Sequence, residues 1–161
     1  MKLFHGTTEQ FSTPKIIMPN HSLDFGVGFY VTTDFLQAQK WANLKKKRFH
    51  QQNAFVISFE FDENVLKNSE LNCKLFTQAD EEWLDFVLSN RTNVNFSYIY
   101  DIVQGAVAND QVYGAITLFE AGFLNKQGLL ENLKTWKYTD QLCFHTEKSL
   151  SYLKFIKMEL V

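Results

Sequence analysis

Two glycines set directly ahead of an aromatic and β-branched run constrain this chain most: DFGVGFYVTTD, Asp24 to Asp34. Glycine beside a strand marks a sharp backbone bend or a close approach by something else. Gly26 and Gly28 lead into Phe29-Tyr30-Val31, which reads as a strand, and Thr32-Thr33-Asp34 then opens a helix. Taken alone, the stretch needs no more than a tight turn into a buried strand. Upstream, however, lies HGTT, His5 to Thr8, at the expected end of a first strand from Met1 to His5.

The rest of the chain surrounds these pieces with mixed elements. Residues 9 to 23, with Pro14 and Pro19, read as a loop. A helix is expected from Asp34 or Thr33 as N-cap, with Phe35, Ala38, Trp41, Ala42 and Leu44 on one face. It ends in three lysines and Arg48, a charge run that suits a helix C-terminus and needs no nucleic acid to explain it. Ala54 to Phe61 alternates as a strand, with Phe55, Ile57, Phe59 and Phe61 on one side. Residues 62 to 79 read as a loop with a short helix, and Asp80 to Asn90 as a helix. A strand within 97 to 108 is expected to stop at Gly105. Helices over Asn109–Ala121 and Lys126–Thr135 follow, then a strand from Thr139 to Thr146, a helical turn and a last strand KFIKMELV. In the Thr139 strand, period two puts Leu142 and Phe144 on one face, and Gln141, Cys143 and His145 on the other. Strands and helices intersperse without regular alternation, so the expected class is α+β, in one domain over residues 1–161.

Charge narrows the partners. A net charge of −2 gives no field that would recruit nucleic acid or a membrane. The two cysteines, Cys73 and Cys143, lack metal-ligand spacing, so neither a disulfide framework nor a metal is expected. The N-terminus is too polar for a signal peptide, and no apolar run nears the ~18 residues of a membrane span, which points to the cytoplasm.

HGTT, GVGFYVTTDFLQAQKWA about twenty residues later and DQLCFH on a late strand together resemble the ADP-ribosyltransferase superfamily, in its diphtheria-toxin and poly(ADP-ribose) polymerase branch. That branch carries His, Tyr and Glu on three separate strands. Across nearly the whole chain, the DFGxGFYxTT, YDIVxGxVAND and DQxxFHT runs are similar to a bacterial family of small, uncharacterised members of the clan, which look like toxins of toxin–antitoxin pairs. The resemblance implies a split β-sandwich with peripheral helices and NAD as co-substrate. It implies transfer of one ADP-ribose to a macromolecular acceptor, protein or nucleic acid, and a small antitoxin as partner. His5, Tyr30 and Gln141 would be the catalytic set; His5, Gly6, Thr7, Gly28, Phe29, Tyr30 and Trp41 would bind NAD.

In that scheme His5 meets the adenosine ribose, Gly6 the nicotinamide amide, and Tyr30 with Trp41 the ring faces, where cation–π attraction adds about 0.5–2 kcal/mol to apolar burial. The third position departs from the pattern: Gln141 stands where a glutamate is expected. An amide can bond a ribose hydroxyl but carries no charge and takes no proton. Asp110 or Glu147 could supply a carboxylate, while Asp140 should face away from Gln141. Asp110 is also assigned to the acceptor side of the cleft. Two other readings stay open: a degenerate module that binds NAD or ADP-ribose without chemistry, and RNA 2′-phosphotransfer, for which Arg48 and Arg91 are the only arginines.

Overall fold

A computed structural model describes residues 1–18, 23–67, 70–92 and 99–161. Among the described residues, seven strands form two sheets. Sheet one holds β1 (Lys2–Thr7), β3 (Phe55–Glu60) and β7 (Lys154–Leu160) in the order β1-β3-β7, all antiparallel. Sheet two holds β2 (Phe29–Val31), β6 (Asp140–Phe144), β5 (Ile102–Ala106) and β4 (Cys73–Leu75) in the order β2-β6-β5-β4, with only the β4–β5 pair parallel. The class is α+β. The sheets meet at one backbone pair, where Phe4 and Thr32 exchange N–H···O bonds of 2.8 and 3.0 Å.

Period-two alternation sorts the side chains into two cores. Leu3, Phe29, Val31, Ile57, Phe59, Leu142 and Phe144 fill the space between the sheets. Val103 and Cys143 point the other way, into a second core closed by α2 (Glu81–Thr92), α3 (Asp110–Glu120) and α4 (Lys126–Thr135) through Trp83, Val87, Val112, Ile116, Leu129 and Leu133. Behind sheet one lies α1 (Phe35–Arg48), capped by Asp34, whose carboxylate accepts from Leu36 and Gln37 N–H at 2.8 and 3.1 Å. Gly6 lets α1 sit this close: a Cβ there would fall 2.0 Å from the Ala38 carbonyl oxygen and 2.8 Å from the Ala42 nitrogen. A short last helix, α5 (Glu147–Leu150), precedes β7.

The structure corrects three expectations. The first strand does not end at His5 but pairs with β3 as far as Thr7, so His5 is a mid-strand residue. Within 62–79 there is a 3-10 turn, Glu63–Lys67, and also β4, a three-residue edge strand too short to register as alternation. Gly105 does not stop β5. It pairs with Gln141, and its missing side chain makes room for the Phe25 and Phe76 rings. The expected start of that strand at Ser97 and Tyr98 lies outside the described residues. Among the described residues no helix is long and apolar enough to cross a membrane.

Candidate functional site

β1, β2 and β6 bring the three singled-out residues to the seam between the sheets, but on different sides of it. His5 turns into the inter-sheet space. Its ring stacks on Phe29, with centroids 4.4 Å apart and planes 20° from parallel, and its Nδ1 lies 2.6 Å from the Tyr30 carbonyl oxygen. A carbonyl only accepts, so Nδ1 carries the proton and Nε2 is left as an acceptor. Burial, reinforced by the neighbouring Lys45 charge, holds the imidazole pKa down at about 3. The ring is neutral throughout the physiological range.

Phe4 directs its N–H and C=O to Thr32, so Gly6, two residues on, turns its own to the same edge. The Gly6 carbonyl takes the Lys45 ammonium at 2.8 Å. This lysine of the basic run is therefore folded inward, and burial lowers its pKa. Thr7 is buried and accepts from the Glu9 N–H at 3.0 Å.

Tyr30 and Gln141 occupy the opposite face of sheet two. Gly26, at φ +82°, bends the 23–28 segment back over this face, and the Tyr30 hydroxyl closes the bend by donating to Gly26 C=O (2.7 Å) and accepting from Phe25 N–H (3.1 Å). Gly28 permits the closest approach: a Cβ there would lie 2.3 Å from Cys143 Sγ and 2.7 Å from the Phe144 carbonyl oxygen. The bend also delivers Asp24 into the interior, only 7% exposed. One of its oxygens, Oδ2, accepts from Gln141 Nε2 at 2.8 Å and from Ala108 N–H at 2.9 Å; the other bonds the Tyr113 hydroxyl. Burial raises the carboxyl pKa, and the three hydrogen bonds oppose that rise. Arg91, stacked on the Tyr113 ring at 4.3 Å, extends the cluster outward.

Gln141 itself is 2% exposed and lies beside a carboxylate that sequence reasoning did not assign to it. The available signal was Asp24 at the head of the glycine stretch, but its pairing with a residue 117 positions away is a tertiary fact.

The other singled-out residues are dispersed. Trp41 is half-buried on α1, behind sheet one, whereas Tyr30 packs into the core behind sheet two. Asp110 is exposed in the first turn of α3, after the N-cap Asn109. Glu147 is exposed at the start of α5 and lines an open concavity of about 520 Å³ with Ser12, Pro14, Leu153 and Phe155. A second concavity, about 430 Å³, opens beyond β1 around Thr8, Gln10, His50 and Gln52. Neither is lined by Tyr30 or Gln141. Asp140 faces the other way from Gln141 and accepts from Thr32 Oγ1 and from both N–H and Oγ1 of Thr33, at 2.7–3.2 Å. Cys143 is buried, and burial pushes its thiol pKa up; the His145 Nδ1 donates to the Val27 carbonyl at 2.7 Å. Arg48 is exposed at the end of α1. Both cysteines are free thiols, and among the described residues no group of three or more His, Cys, Asp or Glu is arranged to hold a metal.

Residues 1–155 match the model of a family described as "Protein of unknown function (DUF3990)". No curated protein and no solved structure matches the chain.

Proposed function

We propose that this chain, which belongs to the DUF3990 family of proteins of unknown function, is an NAD-dependent mono-ADP-ribosyltransferase. The observation that carries the reading is the direct link between the signature positions. His5 on β1 donates to the backbone of Tyr30 on β2, and β2 pairs with β6, the strand that bears Gln141. Three residues far apart in sequence thus belong to three neighbouring strands at one seam.

In this reading NAD is the donor substrate: the bond between nicotinamide and ribose breaks, its electron pair leaves with neutral nicotinamide, and an acceptor nucleophile bonds the ribose carbon and gives up a proton. His5 Nε2, bare and neutral, accepts from a ribose hydroxyl. Gly6 offers the strand edge that meets the carboxamide, once Lys45 releases its carbonyl. Tyr30 supplies an aromatic face, and Gln141 Oε1 orients the reacting ribose. Gln141 cannot take the acceptor's proton, so the acceptor brings its own acidity or gives the proton to water. A role as the toxin of a toxin–antitoxin pair, acting on a macromolecule in the cytoplasm, belongs to the same proposal.

A second reading, a module that binds NAD or ADP-ribose without turnover, is favoured by one observation: the uncharged Gln141 is buried and already bonded through its amide nitrogen. Purified protein given adenylate-labelled NAD in a cell lysate separates the two. The transferase moves label to a macromolecule, and Tyr30→Ala and Gln141→Ala, confirmed folded by circular dichroism, do not. Tight NAD binding with no label transfer and no free nicotinamide supports the binding module instead.

A further inference from the structure

We propose that Asp24 is a positioning carboxylate for this site, holding Gln141 so that its carbonyl oxygen acts in place of the missing glutamate. The inference rests on the transferase reading above.

Gln141 Nε2 has two neighbours, Asp24 Oδ2 at 2.8 Å and the Ala106 carbonyl at 3.4 Å. Both are acceptors, since Asp24 Oδ2 already takes the Ala108 N–H at 2.9 Å. The amide can therefore sit only one way round, with nitrogen toward Asp24 and Oε1 turned from it. A free glutamine would present oxygen and nitrogen equally; this one presents oxygen. The hydrogen bond to a carboxylate also polarises the amide, drawing electron density toward Oε1. Oε1 thereby gains part of the negative character that glutamate would bring to a ribose hydroxyl and to positive charge building on the sugar.

Asp24 is in turn fixed from three elements. Ala108 precedes α3, Tyr113 lies on α3, and Gln141 lies on β6. Its carboxylate is engaged by these partners and acts through Gln141.

The test compares wild type with Asp24→Asn and with the pair Asp24→Asn/Gln141→Glu, reading kcat, KM for NAD and thermal melting. Asp24→Asn keeps the shape and, because the Ala108 N–H still requires an oxygen at that position, keeps the amide orientation; it removes the charge that polarises Gln141. It is expected to lower kcat at least about tenfold with KM little changed, the size of a lost charge-assisted hydrogen bond. The paired variant places a carboxylate on β6 itself, with the residue-24 amide turned to donate to it at the expense of the Ala108 hydrogen bond, and is expected to recover kcat to within a few-fold of wild type. A merely structural Asp24 would lower kcat only in proportion to the folded fraction, and the paired variant, if folded, would recover nothing; that result overturns the proposal. Wild type that binds no NAD and releases no nicotinamide overturns the transferase reading itself. Active wild type with an equally active Asp24→Asn overturns the Asp24 role alone.

Discussion

Sheet two has two faces built from alternate residues of the same strands, and they enclose different kinds of interior. Toward sheet one it presents Phe29, Val31, Leu142 and Phe144, all apolar. Toward the helices it presents Tyr30, Gln141 and Cys143, and the 23–28 bend adds Asp24. A buried polar group costs stability unless it is bonded, so the second face persists because its carboxylate and amide satisfy each other. The first core is stabilised chiefly by area and packing, with the His5–Tyr30 hydrogen bond at its edge. The second combines packing with directed bonds, and such bonds fix orientations, as the proposed site would require.

The contrast can be broken most severely on the apolar face. Phe144→Ala removes a fully buried ring and should cost about 3–5 kcal/mol, read as a drop in the urea midpoint. The adjacent residue on the same strand points into the polar interior. Cys143→Ser there should cost no more than about 1 kcal/mol, because the hydroxyl can use partners that the thiol already neighbours, Tyr30 and His145. Losses of equal size in these two variants would mean that the two interiors do not differ as described.

The smallest effect is nil at neutral pH and appears only below it. His5 is the polar exception on the apolar side, with its pKa held at about 3 against an ordinary 6.5. Between those values the unfolded chain binds a proton that the folded chain does not, so this residue's contribution falls as pH drops from 6.5 toward 3. Denaturation at pH 7 and pH 4.5 should therefore show a larger loss for wild type than for His5→Gln. Other titrating groups, His145 and Asp24 among them, are present in both proteins and cancel in the difference. Identical pH slopes would show that the fold does not hold the His5 imidazole neutral.

Much of the fold was legible because it rests on local rules. The α4 boundaries, the Asp34 cap, and the face assignment of Leu142 and Phe144 follow from periodicity and capping chemistry. β4 was not legible, since three residues paired in parallel at an edge carry no alternation. Gly105 misled because glycine ends strands in general, whereas here two phenylalanine rings fill the space it leaves.

For the proposed site, the sequence by itself singled out the candidates: His5 and Gly6 on one strand, Tyr30 after paired glycines, and an amide at position 141 where the resemblance implies a carboxylate. Only the tertiary structure decided that Lys45 lies on the Gly6 carbonyl, and that Asp24 and Tyr113 close around Gln141. The reason is physical. Helical and strand periods are set by covalent geometry within a few residues, whereas a hydrogen bond across 117 positions depends on how two layers pack, and no local spacing encodes that.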